Sequence, residues 1–263
     1  MVKSTKIAPK PFAKGRKQIK GEIMYYLYYS SMVILIPGII FAIWAQFKIN
    51  STYKKYSQVQ SKSRWVANEM SMMLLEKNGC GNVSVQRIRG NLTDNYNPST
   101  DVLSLSDTTY GKSNVAALGV AAHECGHALQ KHSESKLLKL RSWLVPITNY
   151  GSMLAVPIAI LGVILELLIG GAGDNLGSYI IALGIILYSL STIFALVTLP
   201  VEIDASRKAL KMMENTAVLD KEELAMSRKV LFAAALTYVA SLVVSFLYLL
   251  RFILILNRFR DRD

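Results

Sequence analysis

Long apolar runs without charge constrain the fold of this chain more than any other feature of its sequence. Residues 23–47, 176–201 and 230–250 contain no charged side chain, and residues 143–173 contain only Glu166. A helix needs about 20 apolar residues to cross a bilayer, so each of these runs is long enough. Helices of a soluble bundle show a polar face, and these runs show none. We therefore predict an α+β protein in which a polar domain is embedded among about four α-helical membrane spans.

The apolar runs divide the 263-residue chain into segments. We predict a basic flexible tail (1–22), a first membrane segment (23–47), a polar domain (48–142), a hairpin of two transmembrane helices (143–201), a polar helix (202–229), a last span (230–257) and a basic end (258–263). Pro37 and Gly38 leave two alternatives for the first segment, which either kinks as it spans the membrane or bends and returns to the same side.

The formal net charge of +12 bears on the partners of the protein. No basic stretch is interleaved with aromatic residues that stack on bases, so we exclude nucleic acid. Lys and Arg at the ends of membrane helices contact anionic lipid, which makes the lipid bilayer the predicted partner. Segments 48–142 and 201–229 hold nineteen Lys and Arg against eleven in the two termini, and this excess predicts a cytoplasmic polar domain. The seven cations of the tail favour the opposite orientation.

The polar domain carries both helical and strand-like patterns. In chain order it predicts an amphipathic helix (63–77), then two or three short strands that include 83–88 and 101–106 with a turn at 95–100, and last a helix capped by Ser113 or Asn114.

The last of these helices contains the sequence HECGH, residues 123–127. His123 and His127 are one above the other on a helix, so both imidazoles can bind one zinc ion. Glu124 leans beside the metal and can take a proton from the water that zinc activates. Gly126 is small enough for a neighbouring element to approach closely. The pattern predicts a catalytic zinc site on a buried helix.

A catalytic zinc site takes three protein ligands, and the motif supplies two of them. Two spans separate His127 from Glu202, and an even number of crossings returns the chain to the same face of the membrane. Glu202 is the favoured third ligand and Asp204 is the alternative. These two lie about 200° apart around a helix, so only one of them can ligate. We expect His132 to be solvated and Cys125 to pack in the core, since both lie on other sides of the motif helix.

Four stretches resemble the YugP-like family of neutral zinc metallopeptidases of bacterial membranes: GNLTDNYNPSTDVLSLSDTTY, VAAHECGHALQ, RSWLVPITNYGS and LVTLPVEIDASRKAL. The likeness covers about residues 42–250. It implies a gluzincin-like domain with a small β-sheet in the bacterial cytoplasmic membrane, similar more distantly to HtpX-type membrane proteases. It also implies zinc bound by His123, His127 and Glu202, with Glu124 as the general base.

The same resemblance implies that the substrate lies extended along an edge strand, here formed by Leu92, Thr93, Asp94, Asn95 and Tyr96. HtpX-like enzymes carry an aspartate four residues after the ligand glutamate, where this chain has Ser206. Ser206 or Asp204 is therefore the candidate that orients a histidine. Tyr96 and Arg207 are the candidates for stabilising the oxyanion.

These features predict a zinc endopeptidase that hydrolyses a peptide or a membrane protein. The alternative is a membrane scaffold or chaperone-like protein whose zinc site is catalytically silent. The intact Glu124 argues against this alternative, because a structural zinc site needs no general base. Spans two to four carry almost no polar residues, which argues against a transporter. The sequence predicts no oligomeric state.

Overall fold

The computed structural model describes residues 32–169 and 176–260. The predicted tail, the start of the first membrane segment and the last three residues lie outside the described residues. The elements are a short 3-10 turn at Val33–Leu35, then α1 (Ile36–Tyr56), α2 (Ala67–Lys77), β1 (Ser84–Arg87), β2 (Asn95–Asn97), β3 (Val102–Leu105), α3 (Val115–His132), α4 (Lys136–Ile169), α5 (Leu176–Asn215) and α6 (Lys221–Arg260).

Four helices of the described chain are long and apolar enough to cross a membrane, namely α1, α4, α5 and α6. Helices α5 and α6 have 40 residues each. At 1.5 Å per residue such a helix is about 60 Å long, roughly twice the hydrocarbon thickness. Each of the two therefore extends well beyond a bilayer. The polar helix predicted over 202–229 is instead divided between two helices: its first part is the end of α5, which continues through Pro200 without a break, and its last part is the beginning of α6 at Lys221.

Three short strands form a sheet in the order β1-β3-β2. Strands β1 and β3 are parallel, whereas β2 is antiparallel to β3 with Tyr96 opposite Leu103. The turn predicted at 95–100 begins only after β2. The edge strand predicted over Leu92–Tyr96 is shorter than expected, because Leu92 has a φ of 54°. A left-handed residue of this kind breaks the extended backbone that a strand requires.

The amphipathic helix predicted over 63–77 begins later, at Ala67. Arg64 has a φ of 60°, which is incompatible with a helix at that point. Helix α2 then packs Met70 and Leu74 into the core beside Leu103 of β3.

Helix α3 runs through the middle of the polar domain and is buried along most of its length. It begins at one of the two predicted caps, because the Asn114 side chain accepts a hydrogen bond from the backbone N–H of Ala117 at 2.9 Å. Helix α3 packs against both α5 and α6. A Cβ at Gly126 would collide with the backbone carbonyl of Ala205 on α5, and one at Gly119 would collide with the Ser227 hydroxyl on α6. The close approach at Gly126, which the sequence predicts, brings α5 against the HECGH motif of α3.

Candidate metal centre

The side chains of His123, His127 and Glu202 converge between α3 and α5. Their potential ligand atoms all lie within 4.8 Å of one another. Oε2 of Glu202 is 3.2 Å from Nε2 of His123 and 3.5 Å from Nε2 of His127. The glutamate side chain is only 2% exposed. Two imidazole nitrogens of the buried helix α3 and one carboxylate oxygen of α5 form a donor set that suits catalytic zinc.

Each histidine is oriented through its other ring nitrogen. Nδ1 of His123 is 3.1 Å from the Ser206 hydroxyl, and Nδ1 of His127 is 2.9 Å from Oε1 of Gln130. Gln130 is held in turn, because its amide Nε2 donates to the Val201 carbonyl and to Asp204, both at 2.8 Å. Its Oε1 is thus the acceptor, and Nδ1 of His127 carries the proton. This network leaves Nε2 of His127 as the atom that can bind a metal.

Arg141 fixes the second oxygen of Glu202. Its Nη1 lies 2.9 Å from Oε1, on the opposite side of the carboxylate from the histidines. Arg141 lies near the beginning of α4, so the membrane hairpin contributes both the carboxylate and the cation that orients it. An ion pair at this distance limits rotation of the carboxylate.

Burial and charge shift the proton affinities of two groups on α3. Burial raises the pKa of the Glu124 carboxyl above its usual range, and the neighbouring histidines oppose this. Burial lowers the pKa of His127, but its hydrogen bond to Glu202 and the charges of Glu124 and Glu202 raise that pKa overall. Glu124 is therefore a stronger base than an exposed glutamate. At His127, a proton and a metal compete for Nε2.

A cavity of about 270 Å³ opens beside this centre. It is lined by Gln46, Asn50 and Tyr53 of α1, by Leu92 and Asp94 before β2, by His123 and Glu124 of α3, by Glu202 and Ser206 of α5, and by Ala234, Thr237 and Tyr238 of α6, among others. Both the predicted base and two of the predicted ligands thus face the same space. The first and last membrane helices close its sides.

Three other predicted site residues, Asp204, Tyr96 and Arg207, lie outside the group of converging ligands. Asp204 does not join the three converging groups, since its carboxylate accepts from Gln130 and from Lys208 at 2.6 Å. The Tyr96 hydroxyl donates to Asp101, near the far end of α3. Arg207 is exposed on α5. Neither Tyr96 nor Arg207 lines the cavity.

Two further expectations concern α3 itself. Cys125 is fully buried, with its thiol 3.8 Å from the Ser71 carbonyl, and burial raises the pKa of that thiol to about 12. His132 is exposed and lies 3.3 Å from Asp101. The predictions of a core cysteine and a surface histidine are both confirmed.

Within the predicted edge segment, Leu92 and Asp94 line the cavity, whereas Thr93 and Asn95 are exposed. Asp94 accepts hydrogen bonds from the backbone N–H and the hydroxyl of Ser106, each at 2.8 Å. These bonds hold the loop that leads into β2 next to the cavity.

Three residues at the centre were missed in the sequence: Gln130, Arg141 and Tyr238. Gln130 could have been found from the sequence, because it follows His127 by three residues and so lies on the same face of the helix. Arg141 and Tyr238 reach the site from α4 and α6, and no local spacing links them to the motif.

The fold and the centre together define a polytopic membrane protein with a buried site of two histidines and one glutamate. The family described as "Putative neutral zinc metallopeptidase" matches residues 31–257. The chain belongs to this family. It is also 39% identical, over 231 residues, to the "Putative membrane protease YugP" of Bacillus subtilis (strain 168), and the alignment covers 88% of this chain and 98% of that protein. No solved structure matches, so the gluzincin-like fold stays a prediction.

Proposed function

We propose that this protein is a zinc endopeptidase of the bacterial cytoplasmic membrane. The observation that carries the proposal is the convergence of His123, His127 and Glu202 beside a cavity that Glu124 also lines. Membership of a zinc metallopeptidase family supports the identity of the metal. Two histidines and a glutamate are the ligand set of a catalytic zinc, which keeps one position open for water and substrate.

The chemistry divides between the metal and the chain. Bound zinc acidifies a water molecule and polarises the scissile carbonyl. Glu124 accepts the proton that the attacking water releases, and its raised pKa suits it to this step. The same carboxyl then gives the proton to the nitrogen of the leaving amine. Ser206, Gln130 and Arg141 keep the three ligands aligned while this happens.

The substrate in this proposal is a peptide or a segment of a membrane protein. The cavity lies between membrane-length helices α1 and α6 and the polar domain, which gives it access to chains near the bilayer surface. The nineteen cations of segments 48–142 and 201–229 favour a cytoplasmic position for this face.

Substitution Glu124→Gln tests the proposal, with Glu134→Gln as its control because Glu134 is a solvent-exposed carboxylate that pairs with Lys139. We expect each purified protein to bind one zinc per chain. Hydrolysis of fluorescein-labelled casein should fall by about 10²–10⁴-fold in Glu124→Gln and stay unchanged in the control. A protein without zinc, or a Glu124→Gln variant that is fully active, would contradict the proposal. Zinc binding without any hydrolysis would instead favour the silent scaffold.

A further inference from the structure

The proposed reaction needs a hydrogen-bond donor for the negative oxygen that forms when water adds to the scissile carbonyl. The residues suggested by the sequence do not meet this need. The Tyr96 hydroxyl is committed to Asp101, and Arg207 is exposed away from the cavity. Arg141 pairs with Glu202 and does not line the cavity. The donor must therefore come from another element that lines the cavity.

Tyr238 of α6 is a donor on such an element. It lines the same cavity as His123, Glu124 and Glu202. Its hydroxyl contacts Glu202, the ligand carboxylate that lines the same cavity, so it lies beside the metal centre.

The packing of α6 on α3 explains how this tyrosine reaches the centre. Ser227 of α6 lies against Gly119 of α3. Tyr238 follows Ser227 by 11 residues, which is about three helical turns, so both project from the same side of α6. His123 follows Gly119 by one turn of α3. The two helices are therefore in contact at Gly119 and Ser227, and further along each helix His123 and Tyr238 line one cavity. The small side chains of Ala234 and Ala235 line it too and leave room beside the phenol.

We propose that the Tyr238 hydroxyl donates a hydrogen bond to the oxyanion of the tetrahedral intermediate. This inference rests on the proposed function. The water oxygen bonds to the carbonyl carbon, the π electrons move to the carbonyl oxygen, and Glu124 takes the proton. When the carbon–nitrogen bond breaks, the electrons return to the carbonyl and the amine takes the proton from Glu124. Tyr238 keeps its own proton throughout, because it only donates a hydrogen bond.

Substitution Tyr238→Phe tests this role, and Tyr248→Phe is its matched control. Tyr248 lies on the same helix but packs against Tyr188, with ring centroids 6.0 Å apart. With labelled casein as substrate, Tyr238→Phe should lower kcat by about 10²–10³-fold and change KM little, which is the usual effect of removing one oxyanion donor. The control should match the unsubstituted protein.

A binding measurement separates this inference from the proposed function. Phosphoramidon carries a tetrahedral anionic phosphoryl group that resembles the intermediate, so its affinity for zinc-loaded protein should fall in Tyr238→Phe and not in Tyr248→Phe. Zinc content should stay at one per chain in both variants. Normal kcat and phosphoramidon affinity in Tyr238→Phe would overturn the role and leave the proposed function intact. Loss of zinc would overturn it too, by making Tyr238 a support for Glu202. An unsubstituted protein that hydrolyses nothing would overturn the proposed function, and this inference with it.

Discussion

The two imidazoles of the centre are oriented by different means. A hydroxyl on α5 contacts His123, whereas a buried amide on α3 itself holds His127. The amide is the stronger restraint, because Gln130 is anchored at the same time to the Val201 carbonyl and to Asp204. In the sequence, Ser206 and Asp204 are alternatives for the residue that orients a histidine. In the structure Ser206 contacts His123, and Asp204 acts on His127 through Gln130.

Replacement of Gln130 by leucine should weaken zinc binding. Nδ1 of His127 would lose its acceptor, and the ring would no longer be fixed with Nε2 toward the metal. Loss of such an outer contact typically lowers metal affinity by about 10–100-fold. Competition with a chelator measures this change. Gln86→Leu is a suitable control, since the Gln86 side chain donates to the Ser104 hydroxyl on the sheet, away from the centre. An equal loss of affinity in both variants would refute the specific role of Gln130.

Asp101 should make the stability of the domain depend on pH in the acid range. Its hydrogen bonds from Lys131 and Tyr96 lower its pKa from 3.8 to about 2. The folded pKa is thus below the unfolded one, so the stabilisation is complete above pH 3.8 and is lost as pH falls toward 2. Asp101→Asn should lower Tm at neutral pH, and the difference should vanish over that window. Asparagine tolerates the left-handed φ of 54° at this position, so the variant isolates the charge.

Thermal unfolding at several pH values measures this dependence. Glu76→Gln is the control, because Glu76 is an exposed carboxylate on α2. A constant difference between Asp101→Asn and the unsubstituted protein at all pH values would show that the ion pair does not account for the effect.

At the scale of elements, the parts that depend on local spacing were predictable. The four apolar runs gave the membrane-length helices, and alternation gave β1 and β3. Strand β2 was expected only through the resemblance, as the edge strand over Leu92–Tyr96, because Asn95–Asn97 lacks the apolar alternation that marks a strand and pairs only with β3. The predicted bounds of α2 and of the edge strand at 92–96 were wrong because Arg64 and Leu92 adopt a left-handed backbone. Neither arginine nor leucine is a residue type that indicates such a conformation. Tyr238 and Arg141 could not be assigned, because their positions depend on how helices pack at long range.

The contact between α3 and α5 depends on the absence of a side chain at Gly126. A methyl group there would meet the Ala205 carbonyl, which is rigid backbone. We expect Gly126→Ala to destabilise the protein by about 1–3 kcal/mol, as overpacking generally does. Because α5 must move, Glu202 should also retreat and zinc affinity should fall. Gly81→Ala is the control, since nothing lies within 4 Å of a Cβ at that turn.

Thermal unfolding and zinc titration of the two glycine variants provide the check. Equal Tm and equal zinc affinity in Gly126→Ala and Gly81→Ala would contradict this account of how the helices meet.

At the scale of the whole molecule, the orientation in the membrane can be tested by cysteine labelling. Cys80 and Cys125 are both buried, so the native thiols give a low background. Ser99 is exposed on the polar domain, and Leu176 is exposed at the beginning of α5, at the other end of the hairpin. An impermeant maleimide added to intact bacterial cells should label Leu176→Cys and not Ser99→Cys. The reverse pattern would overturn the cytoplasmic orientation, and labelling of both would overturn the hairpin.

The centre draws its ligands from two helices that are far apart in the order of synthesis, since 79 residues separate His123 from Glu202. The ribosome delivers both histidines before either span of the hairpin exists, and it delivers the glutamate only after both spans have been made. A nascent or half-inserted chain therefore holds an incomplete centre. Insertion into the lipid is what completes the centre, so the proposed hydrolysis cannot begin until the chain has reached the membrane.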